Sequence, residues 1–334
     1  MPEAQIIKLA SRPLGLPDAA TFRTETYTLP ELKEGEIAVK GLYYSVDPYM
    51  RGRMNDVKSY IPPFQVDAPI NGGVVAQVVA SKAPGLQPGD TVTGMLPWAT
   101  AAVVPAKGLQ KLDAPGVPLH YFLGILGMPG LTAYFGLLDI CKTKAGETVV
   151  VSGAAGAVGI VVGQLAKIQG CRVVGIAGSD EKTGMLRKDF GFDEAINYNT
   201  VTNMQQAIAE ACPDGVDVYF DNVGGEISDA VIANINFHAR IALCGQIALY
   251  NSTENPVGPR LQPMLLTRSA MMQGFTIGNY QPHYAEGMQA LVQWVQEGKL
   301  TYTETIVHGF DQLPQAFLGL FSGQNKGKMI VAAQ

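Results

Sequence analysis

A chain of 334 residues with 47% hydrophobic and 16% charged side chains has enough apolar material for one large core or two domains. Its formal net charge of −5, without a basic cluster, argues against a nucleic-acid partner. No apolar run approaches the roughly 20 residues that span a bilayer, and the opening Met1-Pro2-Glu3-Ala4-Gln5 is not a basic region leading into an apolar one, so neither membrane insertion nor export is expected.

From Ile6 to about Lys111, β-branched residues are broken by Gly and Pro, as in Gly35-Glu36-Ile37-Ala38-Val39-Lys40 and Pro88-Gly89-Asp90-Thr91-Val92. This text predicts short strands of a partly closed β-structure. From about Leu126 to Val295 strand and helix alternate. A strand from Thr148, a helix from Ile160 to Gln169 and a strand from Cys171 to Ala177 are followed by strand Glu194 to Asn197, a helix near Val201 to Cys212, strand Val216 to Phe220, a helix from Glu226 and strand Ala239 to Cys244. Such alternation predicts an α/β fold with a doubly wound parallel sheet. Asn251 to Pro263 has no periodicity and reads as a loop. Beyond Gly298, a strand from Tyr302 to Val307, a helix near Leu313 to Leu320 and a strand from Gly327 to Ala332 resume the mixed character of the first part. The expected division is therefore residues 1–125 with 297–334 as a β-rich domain, and 126–296 as the doubly wound domain. Cys141, Cys171, Cys212 and Cys244 are scattered through apolar text, which suits reduced core thiols in the cytoplasm.

Thr148-Val149-Val150-Val151-Ser152 runs into Gly153-Ala154-Ala155-Gly156-Ala157-Val158-Gly159 and then a helix. Glycines there let a pyrophosphate approach main-chain N–H groups at a positively polarised helix N-terminus. Ala154 stands where the usual G-x-G-x-x-G has its first glycine, so the complete βαβ unit, rather than the motif alone, carries the dinucleotide reading. An NAD site usually ends the next strand with Asp or Glu to hold the ribose 2′-OH. Here Ala177 and Gly178 occupy that place, leaving room for a 2′-phosphate that Lys182 and Ser179 could bind. The cofactor read from these residues is NADPH. The alternative is that Asp180 caps the helix and Lys182 is a solvated surface charge.

Four strings narrow the reading further: Val46-Asp47-Pro48-Tyr49-Met50-Arg51-Gly52-Arg53-Met54, Leu126-Gly127-Met128-Pro129-Gly130-Leu131-Thr132-Ala133-Tyr134, Asp221-Asn222-Val223-Gly224-Gly225, and Cys244-Gly245-Gln246 through Tyr250-Asn251. With Gln87-Pro88-Gly89-Asp90-Thr91-Val92 and the late nucleotide fold, the whole chain resembles the medium-chain dehydrogenase/reductase superfamily. Within it, the strings resemble the zinc-independent alkenal and prostaglandin reductases, most of all the bacterial NADPH-dependent curcumin reductases. The resemblance implies a Rossmann domain beside a GroES-like β-rich domain, a homodimer, and an enone as small-molecule substrate. Zinc alcohol dehydrogenases carry a Cys three residues before an Asp and a Gly-His-Glu in the following strand. Here Tyr44 precedes Asp47, and Gly72-Gly73-Val74 falls at the second place, so no catalytic zinc is expected.

Without a metal to polarise a carbonyl, hydride addition to the β-carbon of an enone is the easier reaction, because charge spreads to the carbonyl oxygen as an enolate. One hydroxyl then suffices as donor. The resemblance assigns that role to Tyr250, a neutral phenol at pH 7 in a loop at the carboxyl edge of the sheet. It also implies that Gly156, Ala157, Val158 and Gly159 face the pyrophosphate, Lys182 and Tyr198 the adenosine phosphate, and Asn222 the adenine-side ribose or its linkage. Cys244 and Gly245 would border the nicotinamide, Phe275, Thr276 and Ile277 would offer backbone groups to its carboxamide, and Asn325 would reach across the cleft. Tyr49, Arg51, Met128 and Tyr280 are expected to line the substrate. The alternatives are packing or interface roles for these side chains, quinone reduction, or cofactor binding without turnover.

Overall fold

The computed structural model describes residues 3–334. The chain begins with β1 (Glu3–Leu9), β2 (Phe22–Thr28), β3 (Glu36–Ser45), the single turn α1 (Met50–Arg53), β4 (Asn71–Ser81), β5 (Thr91–Pro97), β6 (Ala101–Pro105) and β7 (Gln110–Lys111). Helix α2 (Met128–Tyr134) continues as a π-helical segment, Phe135–Ile140. Then come β8 (Thr148–Ser152), α3 (Ala157–Ile168), β9 (Arg172–Ala177), α4 (Asp180–Phe190), β10 (Glu194–Asn197), α5 (Met204–Ala211), β11 (Val216–Asp221) and α6 (Gly225–Ile232). They are followed by β12 (Ile235–Leu243), α7 (Gln262–Thr267), β13 (Met271–Gly274), α8 (Tyr284–Gln296), β14 (Glu304–His308), α9 (Leu313–Gly319) and β15 (Lys328–Ala332).

The chain forms two compact units. One holds the chain to Leu123 with Thr305–Asn325 and Met329–Gln334; the other holds Gly124–Glu304 and Lys326–Lys328. In the first unit the strands pair in the order β14-β15-β3-β4-β5-β7, with β6 also on β3. Strand β3 is antiparallel to β4, β6 and β15. The β3–β4 register shifts between Gly41 and Tyr43. Gly41 is required there, because a Cβ would stand 1.9 Å from the Tyr44 phenol oxygen. Tyr44 is fully buried and donates to the Ala99 carbonyl at 2.7 Å. Trp98, Phe22 and Phe317 pack edge-on or stacked in the same core.

The second unit is a six-stranded sheet in the order β10-β9-β8-β11-β12-β13, parallel throughout. All five residues of β8 are buried, as befits a central strand of a parallel sheet covered on both faces. The order reverses between β8 and β11, which is where such folds bind ligands at the carboxyl ends of the strands. Helix α3 buries eight of its twelve residues, a more enclosed helix than its amphipathic text suggests.

The structure differs from the sequence expectations in definite places. Strand β12 starts at Ile235, four residues before the expected Ala239, and α7 and β13 were not anticipated. Strand β13 is short and lies at the sheet edge, with no fully buried residue to mark it. The second unit runs on to Glu304, beyond the expected boundary at residue 296. The reason is local: the buried Gln164 side chain of α3 donates to the Thr301 carbonyl at 2.8 Å and accepts from its N–H at 2.8 Å, keeping this segment on the second unit.

Candidate active site

The glycine turn after β8 is built from backbone. Gly153 takes φ +59 and accepts from the Gly156 N–H at 3.0 Å. Gly156 is the N-cap of α3 and has no side-chain cap bond. A Cβ on Gly159 would stand 2.4 Å from the Gly153 oxygen and 2.6 Å from Ala154 Cα, so only glycine lets the first turn of α3 rest on the loop. The returning tail also reaches this turn: Gly327 N–H donates to the Ala155 carbonyl at 2.8 Å. Gly156, Ala157, Val158 and Gly159 thus lie together at the carboxyl end of β8, where the first turn of α3 rests directly on the backbone of Gly153 and Ala154.

Ser179, Lys182 and Tyr198 gather at the ends of β9 and β10. Tyr198 N–H donates to the Ala177 carbonyl at 3.1 Å, and its phenol oxygen would stand 2.6 Å from a Cβ on Gly178. Ser179, not Asp180, caps α4, its Oγ accepting from Lys182 N–H at 3.2 Å. Asp180 instead accepts from Asn197 Nδ2 at 2.8 Å. Burial pulls the Lys182 ammonium below its ordinary value, with Glu181 opposing the shift and Lys326 adding to it. Lys326 forms an ion pair with Glu181. A dianion bound here would relieve the mutual repulsion of the two lysines. Lys326 escaped the sequence reading because it lies 144 positions from Lys182, in tail text with no motif.

The ends of β8, β11 and β12 meet around one carboxylate. Asp221 is 0% exposed. Its Oδ1 accepts from Ser152 Oγ at 3.0 Å, the Tyr219 phenol at 2.8 Å, Val223 N–H at 3.0 Å and Gly224 N–H at 2.9 Å. Its Oδ2 accepts from Ser228 Oγ at 2.9 Å and Gln246 Nε2 at 3.1 Å. Asn222, expected at the cofactor, donates its side-chain amide to the Ser152 carbonyl at 2.8 Å, tying the end of β11 to that of β8. Cys244 and Gly245 both donate backbone N–H groups to the Asp221 carbonyl, at 2.9 and 3.0 Å. A Cβ on Gly245 would stand 3.1 Å from the Asn222 carbonyl oxygen and 3.4 Å from the Tyr250 phenol oxygen. Tyr250 therefore lies against Gly245.

The Tyr250 phenol accepts from the Gln246 N–H at 3.2 Å. Burial raises its pKa above the ordinary tyrosine value, the Gln246 bond opposing, so at neutral pH it is a protonated donor. Burial likewise pushes the Cys244 thiol up to about 12, which makes it a poor nucleophile at pH 7. Asp221 and Gln246 stand in the family-like sequence strings with no expected role. A carboxylate closing the otherwise apolar run Val218-Tyr219-Phe220 is the signal that would have singled Asp221 out.

The remaining expected residues are dispersed. Phe275, Thr276 and Ile277 follow β13; the Thr276 carbonyl accepts from Asn279 N–H at 3.0 Å and the Ile277 carbonyl from the Tyr284 phenol at 3.0 Å. Tyr280 stacks on Phe135 with ring centres 4.5 Å apart, and its pKa is pushed up to about 12 by burial and by Asp139. Met128 is 40% exposed at the start of α2. Tyr49, Arg51 and Asn325 belong to the first unit. Arg51 is 3% exposed, and its guanidinium donates to the Gly15 and Pro13 carbonyls and to Asn55 Oδ1 at 2.7 to 3.3 Å. Arg51 was expected in the substrate wall; in the structure its donors hold the loop at residues 13–15. At the positions where zinc enzymes carry ligands, Tyr44 is in the core and a Cβ on Gly72 would meet Met50 Cε at 2.3 Å. Among the described residues no group of three or more His, Cys, Asp and Glu is arranged to hold a metal ion. No helix among them is long and apolar enough to cross a membrane.

Comparison with known proteins places this architecture. Residues 5–112 match the family described as the N-terminal domain of oxidoreductase, and residues 157–297 that described as zinc-binding dehydrogenase. The chain is 56% identical to YfmJ of Bacillus subtilis (strain 168), provisionally named an NADP-dependent oxidoreductase, over 98% of this chain and 97% of that one. It is 45% identical to prostaglandin reductase 1 of Bos taurus, over 96% of each. It is 43% identical to the NADPH-dependent curcumin reductase of Escherichia coli (strain K12), over 97% of this chain and 95% of the other. Among solved structures, CurA from Vibrio vulnificus in complex with NADPH superposes with a TM-score of 0.95 at 43% identity, covering 99% of both chains. The chain belongs to the medium-chain dehydrogenase/reductase superfamily, in the branch of the alkenal, prostaglandin and curcumin reductases.

Proposed function

We propose that this protein reduces the C=C bond of α,β-unsaturated ketones and aldehydes, curcumin-like enones included, with NADPH. The observation that carries the reading is the Tyr250 phenol, kept protonated by burial and seated against Gly245 at the carboxyl end of the sheet that also carries the glycine turn. The residues present fit NADPH: the N-terminus of α3 at Gly156 carries no side-chain cap and suits a pyrophosphate, and Lys182 with Ser179 and Tyr198 suits a 2′-phosphate. When bound, NADPH supplies a hydride for the substrate β-carbon. Tyr250 then donates a hydrogen bond to the carbonyl oxygen as the C=C electrons move to form the enolate, and a solvent proton at the α-carbon completes the saturated product. Gln246 N–H occupies the phenol as donor, so the phenol's own proton is directed to another acceptor. Met128 and Tyr280 offer apolar surface to a flat substrate.

The test joins a mutation to a label. Tyr250→Phe removes one preorganised donor and should lower kcat by roughly 10² to 10³, with NADPH affinity hardly changed. With deuteride at the transferable position, the wild-type product should carry deuterium on the β-carbon of a saturated ketone. Deuterium on a carbinol carbon would overturn the enone reading, and turnover of quinones alone would replace it with quinone reduction.

A further inference from the structure

The phenol of Tyr250 is not positioned by its own packing alone. Its hydrogen-bond partner is the Gln246 N–H at 3.2 Å, and the Gln246 side chain is anchored by donating Nε2 to Asp221 Oδ2 at 3.1 Å. Room for that anchor comes from Gly224, at φ +73, where a Cβ would stand 2.1 Å from Gln246 Oε1. Asp221 is itself held by five further donors from β8, β11, α6 and the turn after β11, so it is a fixed point in the sheet rather than a mobile acceptor. The geometry points to Gln246 as a positioning residue: through Asp221 it fixes the amide that sets the direction of the Tyr250 proton. The loop is also held by Ala248 N–H on the Val223 carbonyl at 3.0 Å and Leu249 N–H on the Gln246 carbonyl at 2.8 Å, so losing the anchor should misaim the phenol without releasing the loop. The inference rests on the donor role proposed for Tyr250.

Gln246→Met keeps the length of the side chain and removes the donor. Expected are a fall of about tenfold in kcat with an α,β-unsaturated ketone, and values of KM and NADPH Kd within about twofold of wild type. Because Gln246 acts through Tyr250, the same change in a Tyr250→Phe background should cost less than about twofold further. A second measurement needs neither substrate nor cofactor. In protein labelled with 3-fluorotyrosine, the fluorine resonance that disappears in Tyr250→Phe identifies Tyr250, and it should shift in Gln246→Met. Gln246→Ala is expected to behave in the same way. Equal losses in both backgrounds, an unchanged kcat in Gln246→Met while Tyr250→Phe is impaired, or an unmoved resonance would overturn the inference. An unimpaired Tyr250→Phe enzyme would instead overturn the donor reading, and the resonance would still report whether Gln246 sets the phenol.

Discussion

Gly159→Ala and Gly184→Ala are the same substitution in neighbouring helices, and the structure gives them opposite signs. At Gly159 the new methyl would lie 2.4 Å from the Gly153 oxygen, 2.6 Å from Ala154 Cα and 2.7 Å from the Ala154 oxygen. Ordinary contact begins near 3.4 Å, so α3 must lift from the turn by about 1 Å, and because the obstructing atoms are backbone no rotamer change relieves them. Overpacking of this kind costs about 1–3 kcal/mol, against which the better helix propensity of Ala returns at most about 1 kcal/mol. A net loss of about 1–2 kcal/mol is expected, together with roughly tenfold weaker NADPH binding as the helix terminus withdraws from the pyrophosphate. At Gly184, inside α4, nothing lies within 4 Å of the new Cβ. There only the propensity term acts, and stability should rise by about 0.5–1 kcal/mol. Urea unfolding reads both, and nucleotide fluorescence reads the affinity. A Gly159→Ala protein as stable as wild type would refute the claim that close backbone approach is why glycine stands there.

Lys182→Ala should weaken NADPH binding by about 1.5–3 kcal/mol, the usual worth of a hydrogen bond to a charged group, while leaving NADH binding nearly unchanged; equal losses for both nucleotides would sink the phosphate assignment. Burial pushes the Glu304 carboxyl up to about 7, with Lys328 opposing. Since the folded state then holds the proton more tightly than the unfolded chain, the contribution is full below the ordinary carboxylate range and is lost as pH rises through 7. Glu304→Gln should therefore flatten the decline of Tm between about pH 5 and 8, as thermal scans across that interval would show.

The doubly wound sheet was legible because buried parallel strands leave unbroken apolar runs, as in Val149-Val150-Val151 and Val173-Val174. Tyr250 and the glycine turn were legible as motif positions. Three features were not. Edge strand β13 has no buried residue and so no apolar run. The π-helical turn at Phe135–Ile140 depends on tertiary packing, Gly136 giving way to Phe220 and Phe275, whose rings would lie 2.6 and 2.7 Å from a Cβ there. Arg51 sits in one of the family strings beside Tyr49, yet its charge is turned to the carbonyls of a loop 36 residues away, a contact that no local pattern encodes.

Asp221 shows how a strand order becomes a site. Because β8 and β11 are neighbours in the sheet, Ser152 and Asp221 meet although they are 69 positions apart. The end of β8 and the turns after β11 and β12 then share one acceptor. Asp221→Ala would leave all of its buried donors without that acceptor, at a cost of about 3–5 kcal/mol. Asp221→Asn should be milder, about 1–2 kcal/mol. Its Oδ1 still accepts from Ser152, Tyr219, Val223 and Gly224, and only Nδ2 faces the wrong way, toward Ser228 and Gln246. Ser228 can rotate its hydroxyl to accept, and Gln246 can turn its amide to present Oε1. The asparagine variant should therefore stay folded with a modest drop in urea midpoint, while the alanine variant should lose most of the cooperativity at the carboxyl end of the sheet. Equal losses in the two variants would mean that the carboxylate's charge, and not its count of acceptor positions, holds these strand ends together.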